Sequence, residues 1–195
     1  MELKPIFPLN REINQTNYYW FENGFTSDEV DKIVKDSKEH VFQKAQIIGN
    51  DPNESVRKSN VKWLPYDQQW EWVYDRLTSY VTEANKSLWG FNLHTIIDYI
   101  QFTEYEGKGG HYDWHLDIGP EGINHRKVSV VVQLSEPHEY TGGDLELHPG
   151  NGSFAVPRNK GAVALFPSFI LHRVTPLTSG LRRSLVLWAG GESYK

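Results

Sequence analysis

The feature that most constrains the fold of this chain is a succession of short strand-like segments between residues 95 and 189. The segments are rich in β-branched and aromatic residues, and turn formers such as Gly142-Gly143 and Pro149-Gly150 separate them. The stretch from Val128 to Leu134 is strongly apolar and is typical of a central strand. The predicted strands are residues 95–105, 112–116, 127–135, 144–148, 153–156, 162–166, 170–174 and 183–189.

Two helices are predicted ahead of these strands. Thr26 and Glu29 have the spacing of a capping box, which favours a helix that begins there. A second helix is predicted to begin near Tyr66-Asp67, because apolar residues then recur with a period of about 3.6. Residues 15–22 are expected to add a buried strand. The sequence therefore predicts a mainly β, α+β fold: a double-stranded β-helix, or jelly roll, with amino-terminal helices that support one face of a sheet.

Length and composition limit the classes of protein that need to be considered. With 195 residues we expect one domain, residues 1–195, in which 1–94 form helical support and a lid region and 95–195 form a jelly-roll core with a metal site. The formal charge of −5 argues against binding nucleic acid through phosphate neutralisation. The absence of cysteine excludes disulfides, Cys-ligated metal sites and thiol nucleophiles. Without a membrane-spanning stretch or a signal-peptide pattern, we expect a soluble cytoplasmic protein.

One pair of polar residues and one distant histidine form the pattern with the clearest chemical meaning. His115 and Asp117 are two positions apart, so in a strand their side chains point to the same side while Leu116 turns to the core. His172 follows the apolar run 162–166, and a strand returning beside the first would bring it to the same place. Two imidazoles and one carboxylate are the ligands of non-haem Fe(II) oxygenases. We therefore expect His115, Asp117 and His172 to bind one metal ion.

A basic residue ten positions after His172 extends this pattern. Arg182 can clamp a dicarboxylic co-substrate, because its guanidinium matches the geometry of a carboxylate. Arg183 would point the opposite way in a strand and is the alternative to Arg182. His148 also follows a predicted strand and is a rival third ligand, although Pro149-Gly150 after it predicts a turn. Taken singly, His115 and Asp117 are as easily a surface ion pair, and His172 is as easily a core histidine. Their combination with Arg182 predicts a metal site.

These residues resemble the 2-oxoglutarate- and Fe(II)-dependent dioxygenases, specifically their prolyl-4-hydroxylase-like branch. The similarity covers roughly the carboxy-terminal half of the chain and follows the order of motifs in that branch. Because Asp117 stands where halogenating relatives have a small residue, the resemblance favours hydroxylation. The matching segments are Tyr105 to Asp117 with the pattern Y-x-G…Y-x-x-H-x-D, Thr141 to Leu145, His172 to Pro176, and Gly180 to Arg182.

The resemblance implies a set of cofactors and a role for further residues. The three predicted ligands would hold Fe(II), and Arg182 would pair with the distal carboxylate of 2-oxoglutarate. Tyr105 and Ser184 would contact this co-substrate or line its pocket. Gln133 stands where many relatives have a tyrosine that helps to hold the carboxylate, and its amide can still donate. O2 would be the second co-substrate, and the sequence leaves open whether ascorbate is required.

The implied function is hydroxylation of an unactivated C–H bond, with release of succinate and CO2. The resemblance points to a prolyl residue of a peptide or protein, and Arg57, Trp63 and Tyr112 are candidates to contact it. The polar segment 49–55 is a candidate lid. Two alternatives stay open: hydroxylation of another residue or a free amino acid, and a cupin-like metal-binding protein without oxygenase activity.

Overall fold

The computed structural model of the chain describes residues 16–45, 53–120 and 123–193. Helix α1 is Ser27–Asp36, helix α2 is Glu71–Ala84, and a π-helical turn, Asn85–Trp89, extends α2. The strands of the described residues are β1 Tyr19–Phe21, β2 Gln43–Lys44, β3 Arg57–Lys58, β4 Asn60–Leu64, β5 Leu93–Ile96, β6 Ile100–Glu106, β7 His111–His115, β8 Arg126–Gln133, β9 Tyr140–Thr141, β10 Leu145–His148, β11 Phe154–Ala155, β12 Val163–Pro167, β13 Leu171–Val174 and β14 Ser179–Gly191.

These strands form two antiparallel sheets. The larger has the order β1-β12-β8-β14-β6-β4-β2, and β5 and β9 also pair with β14. The smaller has the order β11-β10-β13-β7-β3. From β6 onward the chain passes repeatedly between the sheets, since β6, β8, β12 and β14 lie in the larger and β7, β10, β11 and β13 in the smaller. The predicted mainly β fold with a jelly-roll core is therefore confirmed.

Strand β8 separates two apolar cores. Val128, Val130 and Val132 pack toward the helices, in a core that includes buried side chains of α1 and α2. Val131, on the opposite face, belongs to the core between the two sheets. Successive side chains alternate in a strand, so Ser129 and the nearby Gln133 share the face of Val131. The polar residues of this otherwise apolar strand thus point between the sheets.

The two helices cover the outer face of the larger sheet. Helix α1 begins as predicted, because Thr26 and Glu29 form both hydrogen bonds of a capping box. Helix α2 begins at Glu71, later than predicted, because the Asp67 carboxylate accepts from the N–H groups of Gln69 and Trp70 in a turn that precedes it. Neither helix of the described ranges is long and apolar enough to cross a membrane.

Residues before position 95 contribute strands as well as helices. β1 pairs with β12, β3 with β7, and β4 with β6, so this part of the chain extends both sheets. Strand β1 is shorter than the predicted strand 15–22, and its Tyr19 is 38% exposed. The predicted strand 95–105 is divided into β5 and β6, because residues 98 and 99 do not pair with β14.

Candidate active site

The predicted histidine ligands come from neighbouring strands of the smaller sheet. His115 is the last residue of β7, and His172 lies directly opposite it in β13. Their ring centroids are 4.1 Å apart. Asp117 follows two residues later, where its backbone N–H donates to the carbonyl oxygen of Ser168 at 3.0 Å. Strand pairing and this loop contact bring the three residues together.

The potential ligand atoms of these residues all lie within 4.8 Å of one another. Nε2 of His115 is 3.6 Å from Oδ1 of Asp117, and Nε2 of His172 is 3.5 Å from Oδ2. The Nδ1 atoms lie 2.7 Å from the carbonyl oxygen of Asp113 and 2.9 Å from that of Ile170, respectively. Since a carbonyl oxygen only accepts, each Nδ1 carries the proton and each Nε2 is left as a potential metal ligand.

The ionisation of the site favours a cation. Burial and the neighbouring His172 lower the pKa of His115 to about 3, so that its imidazole is neutral at neutral pH. Burial alone would raise the pKa of Asp117, but His172, His115 and a hydrogen bond from Ser129 lower it to about 2. Neutral imidazole and ionised carboxylate are the forms that bind metal ions.

The prediction that Leu116 faces the core is wrong. Strand β7 ends at His115, so the alternation of a strand does not extend to the next two residues. Leu116 is 40% exposed, whereas Asp117 is 7% exposed. The contact of Asp117 with Ser168, and not strand geometry, turns the carboxylate inward.

Arg182 is a buried guanidinium with an incomplete set of partners. It is 1% exposed, its Nη2 donates to Oε1 of Gln133 at 2.9 Å, and its Cζ lies 5.4 Å from the ring centroid of Tyr105. Its Nε and Nη1 are buried and have no hydrogen-bond partner among the described residues. A buried charge is costly unless it is paired, and a guanidinium fork fits a carboxylate. The residues present therefore fit a bound dicarboxylic acid.

The neighbouring Arg183 has a different environment. Its Nε donates to Oε1 of Glu104 at 2.8 Å, on the opposite face of β14. Of the two arginines, Arg182 is the one that lines the cavity of the metal-ligand candidates. This geometry favours Arg182, chosen from the sequence, over the alternative.

A cavity of about 350 Å³ contains the three candidate ligands and Arg182. Tyr105 and Ser184 line the same cavity. Gln133 is 3% exposed and is not among the lining residues, so it meets the cavity through its hydrogen bond to Arg182. The structure thus groups the residues predicted for co-substrate binding around one guanidinium.

The three substrate candidates line the same cavity. Arg57 comes from β3 and Trp63 from β4, and both line it together with Tyr112. The guanidinium carbon of Arg57 lies 4.5 Å from the centroid of the Tyr112 ring, which stacks on His115 at 3.4 Å. Burial raises the pKa of Tyr112 to about 12, so its hydroxyl stays protonated. In the predicted lid 49–55, residues 49–52 lie outside the described residues.

Among the lining residues that were not predicted as site residues, four carry a polar or aromatic side chain: Asp98, Gln101, Arg126 and Trp188. Arg126 forms an ion pair with Asp98, and its guanidinium carbon lies 3.8 Å from the centroid of the Trp188 ring. A signal for some of them was present in the sequence. Gln101 lies four positions before Tyr105 in β6, so both side chains are on the same face of the strand. A polar residue on the inward face of an apolar strand indicates a functional site.

The rival histidines do not join the candidate ligands. His148, in β10, has its ring centroid 6.1 Å from that of Trp114. His111 has its ring nitrogens near the carbonyl oxygens of Gly109 and Ser55. The cluster found among the described residues is that of His115, Asp117 and His172.

Comparison with protein families agrees with this arrangement. Residues 100–190 match the 2OG-Fe(II) oxygenase superfamily. That segment includes the three candidate ligands and Arg182.

The curated relatives are named PKHD-type hydroxylases. One from Azoarcus sp. (strain BH72) is 40% identical over 86 residues, which are 42% of this chain and 38% of that protein. One from Nitrosomonas europaea is 36% identical over 87 residues, again 42% of this chain and 38% of the relative. The chain thus matches less than half the length of these relatives.

Solved structures are similar over most of the chain. A prolyl hydroxylase from Trichoplax adhaerens, in complex with a peptide fragment of the hypoxia inducible factor oxygen degradation domain, aligns with a TM-score of 0.77 and 21% identity over 91% of this chain and 85% of the other. A prolyl-4-hydroxylase from Pseudomonas putida aligns with a TM-score of 0.73 and 20% identity over 91% and 94%. At these identities the likeness establishes the fold.

Fold and site define a double-stranded β-helix that presents two histidines and one aspartate at a single point, the arrangement of non-haem iron oxygenases. With the match over residues 100–190, the resemblance of this chain to the 2OG-Fe(II) oxygenases is confirmed, and its fold is that of solved prolyl hydroxylases.

Proposed function

We propose that this chain acts as a 2-oxoglutarate- and Fe(II)-dependent dioxygenase that hydroxylates a prolyl residue of a peptide or protein. The observation that carries this proposal is the presence, in one cavity, of three candidate metal ligands and a buried arginine with two nitrogen atoms that have no hydrogen-bond partner among the described residues. A site for metal alone has no need of Arg182. A keto diacid would need a metal ion for its keto-acid end and a cation for its distal carboxylate, which accounts for both features.

His115, Asp117 and His172 would hold the iron. Bound Fe(II) supplies the oxidative chemistry, in which 2-oxoglutarate and O2 yield succinate, CO2 and a hydroxylated substrate. The contribution of the protein is orientation: the backbone carbonyls that accept from each Nδ1–H keep both Nε2 atoms free for the metal.

Arg182 would fix the distal carboxylate of 2-oxoglutarate through its Nε and Nη1. Its third contact, to Gln133, holds the guanidinium in place and already uses the side-chain oxygen of that amide. Tyr105 and Ser184 complete the surroundings of the co-substrate. Their burial excludes water, which strengthens the ion pair with the carboxylate.

The substrate would enter along the wall formed by Arg57, Trp63 and Tyr112. Aromatic rings suit the flat apolar face of a proline ring, and the Arg57 guanidinium can donate to peptide carbonyl groups. The prolyl preference is supported by the fold shared with prolyl hydroxylases. We also place the protein in the cytoplasm, a reducing compartment in which Fe(II) persists.

The test is succinate release by protein supplied with Fe(II), 2-oxoglutarate and O2, with proline-containing peptides and with matched peptides in which alanine replaces proline. We expect the proline peptides to stimulate turnover and to gain one oxygen atom by mass spectrometry. The same assay with and without ascorbate measures its requirement. Equal stimulation by the alanine peptides would mean that the hydroxylated residue is not proline. No turnover, with zinc as the bound metal and no affinity for 2-oxoglutarate, would favour a cupin-like protein.

Substrate contacts are tested by Trp63→Ala and Arg57→Ala. We expect both variants to keep the affinity for 2-oxoglutarate and to lose peptide-stimulated turnover, since the hydrogen bond of Arg182 is to Gln133 and that of Arg57 is to Ser59. Unchanged peptide affinity in both variants would remove them from the substrate site.

A further inference from the structure

Two buried serines connect the aspartate of the metal cluster to the body of the fold. The Ser129 hydroxyl, on β8, donates to Oδ2 of Asp117 at 2.6 Å. The Ser168 hydroxyl lies 3.0 Å from the Ser129 hydroxyl. Both serines are 0% exposed.

The direction of these hydrogen bonds follows from the chemistry of the groups. An ionised carboxylate only accepts, so the single proton of Ser129 points to Asp117. The Ser129 oxygen can then accept the proton of Ser168. The result is a directed chain of two hydroxyls that ends on Oδ2, and neighbouring hydrogen bonds in such a chain strengthen one another.

Ser168 also holds the backbone of the same segment. Its carbonyl oxygen accepts from the N–H of Asp117 at 3.0 Å, and its N–H donates to the carbonyl oxygen of Lys127 at 2.9 Å. It lies between β12 and β13, just before the strand that carries His172. Ser168 therefore ties the aspartate to the segments that lead to β8 and β13.

The position of Ser129 indicates more than packing. Ser129 lies between Val128 and Val130 in β8, where an apolar side chain would avoid burying a polar group. A hydroxyl in such a place is costly unless it is hydrogen-bonded, and its donor is directed to Asp117. The Ser129 hydroxyl uses one of the two lone pairs of Oδ2, so Oδ1 is the carboxylate oxygen that this hydroxyl leaves unrestricted for a metal ion.

We propose that Ser129, supported by Ser168, is a positioning residue that restricts Asp117 to one ligating oxygen and so keeps a coordination position open for the keto acid. This inference rests on the proposed function, because it assigns Asp117 to the metal. The two can fail separately, since metal binding by the unsubstituted protein tests the function, and the serine variants test the positioning.

The experiment measures the affinity of the purified protein for Mn(II), by titration under argon, in Ser129→Ala, Ser129→Thr and Ser168→Ala. We expect Ser129→Ala to weaken Mn(II) binding by about 10-fold to 100-fold, as for other groups that orient metal ligands. Ser129→Thr keeps the hydroxyl and should restore most of the affinity. Ser168→Ala should cause a smaller loss.

Ser135→Ala is the matched control. Ser135 is also buried, and its hydroxyl bonds the backbone of Leu181 and Arg183, with no contact to Asp117. This variant should lose stability and keep its Mn(II) affinity.

A second readout separates positioning from simple loss of structure. In Mn(II)-loaded Ser129→Ala, the affinity for 2-oxoglutarate should fall below that of the Mn(II)-loaded unsubstituted protein, because a freed carboxylate can occupy the position of the keto acid. Unchanged Mn(II) and 2-oxoglutarate affinities in folded Ser129→Ala would overturn the proposal. If that variant does not fold, Ser168→Ala decides, and an unchanged Mn(II) affinity there would overturn it as well.

Discussion

Arg182 and Arg183 are consecutive residues whose guanidinium groups lie on opposite faces of β14. Arg182 is buried in the cavity and bonds Gln133, whereas Arg183 pairs with Glu104 outside it. The alternation of a strand produces this separation without any change in residue type. The two arginines therefore provide a matched pair for testing what the cavity binds.

Replacing Arg182 by glutamine should remove the co-substrate clamp. Because two charge-assisted hydrogen bonds would be lost, we expect the dissociation constant for 2-oxoglutarate to rise about 100-fold or more. Arg183→Gln should leave it within about threefold, since an ion pair on the other face contributes about 1 kcal/mol or less to stability. Equilibrium binding of 2-oxoglutarate to the metal-loaded proteins measures both. Equal losses in the two variants would contradict the assignment.

Gln133→Glu tests whether the Arg182 guanidinium binds both Gln133 and the co-substrate. The new carboxylate would stand 2.9 Å from Nη2 of Arg182, at the place of the present amide oxygen. It would neutralise the arginine and repel the incoming diacid, so the affinity for 2-oxoglutarate should fall by about 10-fold or more. Thermal unfolding should show a protein at least as stable as the unsubstituted one. Retained affinity for 2-oxoglutarate would show that Arg182 does not hold the distal carboxylate.

The stability of the metal-free protein should fall in mild acid because of His115. The pKa of this residue is 6.5 in an unfolded chain and about 3 in the fold, lowered by burial and by His172. Below pH 6.5 the unfolded chain therefore binds a proton that the folded chain does not, and the free energy of unfolding declines as the pH falls. From pH 6.5 to about 5 this loss should amount to about 2 kcal/mol.

Urea unfolding of the metal-free protein and of His115→Gln, each with a chelator at pH 7 and about 5, measures this contribution. Groups distant from the site titrate alike in both proteins, so the difference between their pH dependences reports on His115 together with Asp117 and His172, whose charges interact with it. Parallel pH dependences would mean that His115 is not buried in its neutral form.

Gly143 supports Arg182 from the turn before β10. Its φ is +67°, and an added Cβ would lie 2.6 Å from Cδ1 of Leu177 and 3.2 Å from Cδ of Arg182. Gly90, with φ +65° and no atom within 4 Å of such a Cβ, is the control. Gly90→Ala should cost about 1–2 kcal/mol from backbone strain alone. Gly143→Ala should cost more and should also weaken 2-oxoglutarate binding, as measured by urea unfolding and titration.

Much of the site could be predicted because it depends on rules that act along the sequence. The strand-like flanks of His172 and the offset to Arg182 follow from alternation and turn signals. The spacing of His115 and Asp117 indicated the correct pair, although a loop contact and not the strand places Asp117. The direct pairing of His115 with His172 agrees with the expectation that a returning strand brings the second histidine to the first. The capping box of α1 was predicted for the same reason, since it involves residues three positions apart.

The remainder depends on contacts between distant segments. Leu116 was expected in the core because the sequence does not show that β7 ends at His115. The ion pair of Arg126 with Asp98 and the support of Asp117 by Ser129 join residues from separate strands or loops. The strand β3, which brings Arg57 to Tyr112, is two residues long and carries no periodic signal. Such features arise from tertiary packing, which local patterns do not encode.

The central claim is that one cavity binds Fe(II) and 2-oxoglutarate together. Anaerobic titration with both, followed by absorption spectroscopy, tests it most directly, because the keto acid chelated to Fe(II) gives a weak metal-to-ligand charge-transfer band. We predict that the band appears in the unsubstituted protein, is lost in Asp117→Ala and requires a higher concentration of 2-oxoglutarate in Arg182→Gln. Absence of the band in the unsubstituted protein, or a band of equal strength in Asp117→Ala, would contradict the account.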